Sequence, residues 1–166
     1  MSRKSFPLSK VYGLLEPGPV VLLTTASKIK ANVMTMSWYT MMEFEPPIVG
    51  CVISNRNYTF NILKATKECV INIPTVELAE KVVACGNSSG RKIDKFKVFG
   101  LTQVTASHVK APLIGECYAN LECKVVDGKM VLSTTFSSVK FSRLGLTRQG
   151  RTHGQFIIAG EDISCL

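Results

Sequence analysis

Short apolar runs rich in β-branched residues, separated by turn signals, constrain the fold of this chain most strongly. Pro19–Thr25, Ile48–Ser54 and Glu68–Ile73 have the length and composition of buried strands. Ala31–Thr40 alternates less cleanly and predicts one more strand. A doubly wound parallel sheet would need regular crossover helices, and the pattern for them is missing. We therefore predict a mainly β fold with short helices, arranged as a mostly antiparallel barrel.

The remaining pattern fills in this architecture. Tyr58–Thr66 has apolar residues at helical spacing, and Thr75 can cap a second helix that runs to about Cys85. Asp127-Gly128 is a two-residue hairpin signal. Further strands are predicted over Leu101–Ala106, Gly115–Val126 and Gln155–Ile163.

Length and hydropathy place the chain among single-domain proteins with a real core. It has 166 residues, of which 46% are hydrophobic, and this is enough to bury a core without disulfide or metal staples. No window approaches the roughly 18 consecutive apolar residues of a membrane helix. The polar start Met1-Ser2-Arg3-Lys4 develops no signal-peptide core. We expect one domain over residues 1–166, located in the cytoplasm and without a membrane partner.

The cysteines are expected to be buried free thiols. None of the six forms a C-x-x-C pair, and only two histidines could complete a metal site, so no metal is predicted. Reduced thiols also fit the cytoplasm. The even spacing of Cys117 and Cys123 in a strand-like run predicts that both face the same side.

Familiar catalytic signatures are missing from the sequence. We find no G-x-G-x-x-G after a strand, no Walker lysine loop, no G-x-S-x-G and no H-E-x-x-H. Only 12 acidic residues are present, which makes a site of paired carboxylates hard to assemble. This favours chemistry carried by a bound cofactor, with the protein supplying binding and orientation.

Polar residues interrupt the apolar elements at three places: 32–38, 54–59 and 85–96. The first cluster contains the only tryptophan, Trp38. The second leads into a helix, whose first amides attract anions. The third combines small residues, hydroxyls and cations, the ingredients of a phosphate cradle. Together they describe a site for an aromatic, phosphorylated ligand.

Each feature taken alone has an ordinary structural explanation. A lone tryptophan such as Trp38 is more often a core residue than a cofactor platform. Thr59 alone is more often a residue that starts a helix, and Lys95 alone is more often a solvated charge. The basic loop alone would be a surface turn. The hypothesis of a ligand site depends on their combination.

The order of these motifs resembles the flavin reductase-like, FMN-binding split-barrel family, and within it the flavoredoxin-type proteins. The order and spacing agree from about residue 15 to residue 131, and a closing strand matches after that. The order of several motifs is specific, whereas any one of them would be weak. The matching motifs are P-V-V-L-L-T-T at 19–25, N-V-M-T-M-S-W at 32–38, P-P-I-V at 46–49, S-N-R-N-Y-T at 54–59, E-C-V-I-N-I-P at 68–74, C-G-N-S-S-G-R-K-I-D-K-F at 85–96 and G-Q-F-I-I-A-G-E at 154–161.

The resemblance implies an antiparallel split β-barrel that forms a homodimer, with FMN near the subunit interface. It implies a flavin-dependent oxidoreductase in which FMN carries the chemistry and no side chain acts as a nucleophile. NAD(P)H or a redox protein would donate the electrons. Carried over by position, one group borders the ring and ribityl chain: Asn32, Thr35, Met36, Ser37 and Trp38. A second group meets the phosphate, Asn55, Arg56, Thr59, Ser89 and Lys95, and Phe156 forms an aromatic wall.

Residues 132–152 depart from the family pattern. The segment holds four serines and four threonines, no acid and poor strand alternation, where the family carries an apolar strand and a linker with tryptophan, aspartate and proline. One hypothesis is a local reading-frame shift, because reading plausible codons one base off yields a family-like segment. A divergent loop in a working protein is the alternative. The nucleotide sequence decides between them, since codons that cannot yield the family-like segment exclude the shift.

Two other functions stay open, one from the same fold and one from the net charge of +8. A reductase of the same fold could use flavin as a diffusible substrate. A basic, non-enzymatic barrel could bind nucleic acid, which would need exposed aromatics interleaved with cations on its strands. The runs 19–25, 48–54 and 68–73 are nearly uncharged, which argues against nucleic acid. Four of the excess cations lie in the atypical segment: Lys140, Arg143, Arg148 and Arg151.

Overall fold

The computed structural model describes residues 18–127, 136–148 and 157–158 and is mainly β. Its helices are short: α1 (Tyr58–Thr66), a 3₁₀ turn (Val76–Leu78), α2 (Ala79–Gly86) and α3 (Lys95–Val98). The strands are β1 (Gly18–Pro19), β2 (Val21–Ala26), β3 (Ala31–Met36), β4 (Tyr39–Phe44), β5 (Pro47–Ser54), β6 (Glu68–Ile73), β7 (Gln103–Val104), β8 (Leu113–Ile114), β9 (Ala119–Asp127), β10 (Phe136–Arg148) and β11 (Ile157–Ile158).

One antiparallel sheet of seven strands, in the order β3-β2-β6-β9-β10-β5-β4, dominates the fold. Its two edge strands, β3 and β4, are consecutive in the chain and are joined only through Ser37 and Trp38. The edges therefore approach each other at this link without pairing, so the barrel is open along one side. This confirms the predicted antiparallel split barrel.

The link between β3 and β4 corrects the prediction of one strand over Ala31–Thr40. The backbone N–H of Tyr39 donates to the carbonyl of Ser37 at 3.1 Å, which is turn geometry. The carbonyl of Trp38 accepts from the N–H of Val52 at 3.0 Å. These contacts end one strand and start the next, and the second contact depends on a residue far along the chain.

Other predicted elements are present with different bounds. The strand predicted over Gly115–Val126 begins only at Ala119, and the one over Leu101–Ala106 is reduced to Gln103–Val104. Thr75 precedes a 3₁₀ turn rather than α2, and its side chain makes no capping hydrogen bond. Strands β9 and β10 are antiparallel neighbours, but Asp127 pairs with Lys140, so the two-residue turn predicted at Asp127-Gly128 is wrong. The connection between these two strands, and most of the predicted strand at Gln155–Ile163, lie outside the described residues.

Strand β2 is buried on both of its faces, which explains why its sequence shows no alternation of apolar and charged residues. Val21 and Leu23 point into the barrel interior, where Leu63 of α1 also packs. Leu22, and Val20 just before the strand, point outward against α2, α3 and the segment after them. The interior cluster contains Val21, Leu23, Met36, Val49, Cys51, Ile53, Leu63, Cys69, Ile71 and Cys123.

Strand β10 occupies most of the segment that departs from the family pattern. It pairs with β5 over Phe136–Ser142 and with β9 over Lys140–Arg148, so it has a partner on each side. Register shifts interrupt its ladder with β9 between Lys140 and Phe141 and between Arg143 and Gly145. The backbone thus forms a strand despite the poor alternation, and the reading-frame hypothesis stays a prediction.

The described cysteines are free and buried, as predicted. Burial raises the pKa of Cys85 to about 11 and that of Cys117 to about 12. The prediction that Cys117 and Cys123 share a face is wrong, because Cys117 lies before β9 begins. Cys117 packs in the outer cluster, whereas Cys123 packs in the barrel interior. Cys165 lies outside the described residues.

Candidate functional site

Asn32 on β3 and Thr59 in the first turn of α1 join two of the polar segments. The Nδ2 of Asn32 donates to the Oγ1 of Thr59 at 2.8 Å. Both residues are buried, with 4% and 1% of their surfaces exposed. Asn32 pairs with Thr25 of β2, on the interior side of the sheet. The contact therefore fixes the start of α1 against one end of the edge strand.

The third polar segment reaches the same place through Gly90. A Cβ atom built on Gly90 would stand 1.8 Å from the Oδ1 of Asn32 and 3.2 Å from the Cδ1 of Tyr58. A side chain there would displace the buried Asn32 amide from its bond to Thr59, so glycine lets the backbone of the loop approach β3 closely. All three polar segments consequently meet around Asn32.

Two cations lie beside the ring of Tyr58 at this junction. The Nζ of Lys30 is 5.2 Å from the ring centroid, and the Cζ of Arg91 is 5.7 Å from it. The same Nζ donates to the carbonyl of Gly90 at 2.5 Å. Positive charge over an aromatic face is favourable at such distances. Lys30 and Tyr58 were not among the predicted site residues, although Tyr58 lies inside one of the family motifs.

Hydroxyl groups at the junction act as acceptors in the described contacts. The Oγ of Ser89 accepts from the N–H of Arg91 at 3.3 Å, and the Oγ1 of Thr59 accepts from Asn32. A hydroxyl has one proton to donate in addition to its acceptor positions. The protons of Ser89 and Thr59 are therefore left for an acceptor such as a phosphate oxygen.

Thr35 and Lys95 lie on the outer side of β3, at the end of α2. The Oγ1 of Thr35 donates to the carbonyl of Val82 at 2.6 Å. The Nζ of Lys95 donates to the carbonyl of Cys85 at 2.7 Å, where a cation stabilises the last turn of a helix. Lys95 is only 5% exposed, and burial lowers the pKa of its ammonium group. One of its three N–H groups is used in this contact.

The predicted ring-binding residues follow β3 towards the open side of the barrel. Met36 packs into the interior cluster, which leaves only its backbone for a ligand. Ser37 is half-buried, and Trp38 is 38% exposed. From Asn32 to Met36 the strand covers about 13 Å before the link to Trp38, which suits an elongated ligand better than a single anion.

Asn55 and Arg56 are exposed in the turn before α1. The N–H of Arg56 donates to the Oγ of Ser54 at 3.2 Å, which shapes this turn. The N-cap residue Asn57 makes no side-chain capping hydrogen bond, and the first turn of α1 contains no acid. The start of the helix is therefore suited to an anion. Phe156 lies outside the described residues.

The arrangement supplies binding groups rather than a nucleophile. The hydroxyls of Ser89 and Thr59, the first amides of α1 and the cations Lys30 and Arg91 lie at one end of β3, and groups of these kinds bind phosphate. The exposed part of Trp38 offers aromatic surface at the other end. The described thiols do not provide a nucleophile, because they are buried and several have raised pKa values. Groups that can bind a phosphate and an exposed aromatic surface therefore lie at opposite ends of the same edge strand.

The chain is similar to one known family and to several known proteins. Residues 14–165 match the family described as the flavin reductase like domain. An uncharacterized protein of Archaeoglobus fulgidus is 42% identical over 97 residues, which cover 58% of this chain. That match covers 55% of the relative, so the chain spans about half of its length.

Solved structures show the same fold. Flavoredoxin from Methanosarcina acetivorans is 26% identical with a TM-score of 0.76, and the match covers 90% of this chain and 77% of that one. An FMN-binding protein from Thermus thermophilus is 19% identical with a TM-score of 0.76, covering 89% of this chain and 79% of that one. The second likeness concerns the fold alone.

Proposed function

The chain belongs to the flavin reductase-like domain family, and from this we propose that it binds FMN along β3 and transfers hydride or electrons through the bound flavin. The meeting of Asn32, Thr59 and Gly90 is the observation that carries the proposal. It brings together three segments that are far apart in the sequence. It also gathers hydroxyl groups, the first amides of α1 and cations, which are groups that bind phosphate.

The phosphate end of the ligand would lie at this junction. Ser89 and Thr59 would each donate a hydroxyl proton to a phosphate oxygen, and the first amides of α1 would add donors. Arg56 and Lys95 would supply positive charge, and Asn55 lies in the same turn as Arg56. Charge-assisted hydrogen bonds of this kind are roughly twice as strong as neutral ones.

The ring end would follow β3 towards Trp38. The backbone at Met36 and the side chains of Thr35 and Ser37 would border the ribityl chain and the ring edge. Trp38 would cover apolar ring surface, as an exposed indole can do. Phe156 stays in the proposal as the second aromatic wall.

FMN, when bound, supplies an acceptor for a hydride or for single electrons, and this chain's residues bind it, orient it and limit the access of water. Side chains near the ring edge tune such a cofactor by hydrogen bonding and by charge. The buried thiols stay protonated near neutral pH, so they do not react with the flavin as nucleophiles.

The proposal includes a homodimer and an external electron donor, either NAD(P)H or a redox protein. Strand β4 supports the dimer, because Met41 and Met42 are exposed beside Trp38 on this edge of the sheet. Apolar side chains on an exposed edge strand favour a protein partner.

We also propose that the protein is located in the cytoplasm. The free thiols favour a reducing compartment. Within the described residues, the structure contains no helix with the length and hydropathy of a membrane span.

Flavin binding by the purified protein tests the proposal directly. We expect quenching of FMN fluorescence on titration, with weaker binding of riboflavin, which lacks the phosphate. Protein that quenches neither flavin would refute the proposal. Flavin that is lost on dialysis, together with NADH or NADPH oxidation that rises with added FMN, would indicate a reductase that treats flavin as a diffusible substrate.

A further inference from the structure

Lys30 occupies a rigid position in the turn between β2 and β3. The Oγ of Ser27 accepts from the N–H of Lys30 at 3.1 Å and donates to its carbonyl at 3.0 Å. The N–H of Ser27 also donates to this carbonyl at 2.9 Å. The backbone of Lys30 is therefore fixed by three hydrogen bonds to one residue, which sets where its side chain starts.

The side chain of Lys30 connects this turn to two other elements. Its Nζ donates to the carbonyl of Gly90 and lies beside the ring of Tyr58, the first residue of α1. Holding a long side chain in one geometry costs rotamer entropy. This side chain therefore ties together the turn between β2 and β3, the loop at Gly90 and the start of α1.

The Gly90 carbonyl and the Arg91 N–H belong to the same peptide group. In a trans peptide the C=O and the N–H point in opposite directions. The carbonyl is directed at the Nζ of Lys30, so the N–H is directed away from it, towards the Oγ of Ser89 at 3.3 Å. Hydrogen bonds linked through one peptide group also polarise each other. Lys30 thus fixes the donor that holds the Ser89 hydroxyl.

We infer that Lys30 is a positioning residue for the phosphate end of the flavin site. Its ammonium group orients the Gly90–Arg91 peptide, which holds Ser89 with its hydroxyl proton available to a phosphate oxygen. Lys30 acts through Ser89 rather than by touching the ligand. The inference rests on the proposed function, because it concerns the phosphate of the same flavin.

Substitution of Lys30, with Lys28 as the matched control, tests the ligand part of the inference. Lys28 is exposed in the same turn, so Lys28→Met removes the same charge without the Gly90 contact. We expect Lys30→Met to weaken FMN binding about tenfold, the effect of one hydrogen bond, and to leave riboflavin binding unchanged. Lys28→Met should change FMN binding less than about twofold. Lys30→Arg keeps the positive charge and should bind FMN about as tightly as the wild type.

A double substitution separates positioning from direct charge attraction. If Lys30 acts through Ser89, Lys30→Met in a Ser89→Ala background should weaken FMN binding no further than Ser89→Ala alone. Additive losses would mean that the ammonium attracts the phosphate itself, which would overturn the inference. Equal effects of Lys30→Met and Lys28→Met would overturn it as well.

Amide hydrogen exchange in the flavin-free protein gives a readout that does not depend on FMN. We expect Lys30→Met to accelerate exchange of the Arg91 amide at least about fivefold, and Lys28→Met to leave it unchanged. Wild-type protein that binds no flavin would refute the proposed function. An Arg91 amide exchange rate that Lys30→Met does not change would refute the inference itself, whatever the wild type binds.

Discussion

Lys95→Met separates the role of this lysine in binding from its role in the fold. The ammonium group is buried and donates to the carbonyl of Cys85 at 2.7 Å. Burial lowers its pKa from the ordinary value of 10.5, which shows that the charged form is disfavoured at this position. Methionine has a similar length and carries no charge, so it removes the cation while keeping most of the packing.

The expected magnitudes differ for stability and for binding. The lost hydrogen bond from a charged donor costs about 1.5–3 kcal/mol, and this is offset by the several kcal/mol that burial of an ammonium group costs. The free energy of unfolding should therefore change by about 1 kcal/mol or less. For the ligand, loss of one charge-assisted bond of about 1.5–3 kcal/mol raises the Kd for FMN about 10- to 150-fold.

Parallel titrations with FMN and riboflavin, together with urea unfolding, measure both effects. Riboflavin lacks the phosphate, so its Kd should be the same for wild type and Lys95→Met. Equal weakening of both flavins would refute the reasoning, because the lysine would then act on the ring or on the fold. An unfolding free energy lowered by more than about 3 kcal/mol would show that the Cys85 contact outweighs the burial of charge.

The alkaline dependence of stability gives a second check on Lys95. Its pKa is lowered in the folded state, so between that pKa and 10.5 the unfolded chain binds more protons than the folded one. Stability contributed by this group therefore rises with pH across that window and is lower below it. Lys95→Met should remove this part of the slope, and an unchanged slope would assign the effect to other groups.

Two further predictions follow from packing and burial, one for ligand binding and one for thiol reactivity. Gly90→Ala should weaken FMN binding at least about tenfold, because its Cβ would meet Asn32 at 1.8 Å, whereas at Gly86 the nearest atom is 3.5 Å away. Gly86→Ala is the control and should leave FMN binding unchanged, as measured by fluorescence titration. In a Cys165→Ser variant, a disulfide reagent at about pH 8 should modify thiols only after unfolding, since burial raises the pKa values of Cys85 and Cys117 to about 11 and 12. Fast labelling of the folded protein would contradict this.

Local pattern was enough to predict the strands that are buried on both faces. Strands β2 and β6 show little alternation and are mostly apolar, because neither of their faces meets water. The break at Ser37 and Trp38 could not be predicted in this way. It depends on the hydrogen bond from Val52, which forms only once β5 lies beside the link.

The segment 132–152 is a second place where local sequence pattern is not enough to predict the structure. Its poor alternation argued against a good strand, but a strand between two partners gains backbone hydrogen bonds along both of its edges. Pairing with β5 and β9 therefore determines the backbone at Phe136–Arg148, and side-chain alternation is a weak guide there.

The candidate site was predictable as a set of motifs, but the contacts that organise it were not. Asn32, Thr59 and the loop around Ser89 each lie in a recognisable pattern, and the structure brings them together. Lys30 carries no such signal, because a lysine in a hairpin turn is most often a solvated charge. Its importance depends on the approach of Gly90, 60 positions along the chain.

The edge strand β3 explains why these residues can form a site at all. An exposed edge offers unpaired backbone groups and invites unwanted pairing, and proteins often cover such edges with a helix or a loop. Here α2 and the following loop cover β3, so Thr35 bonds to α2 while Asn32 packs against Gly90 and α1. Covering the edge places a basic, hydroxyl-rich loop beside the start of a helix. The same packing that covers this edge therefore gathers the groups to which we assign the phosphate end of the proposed ligand.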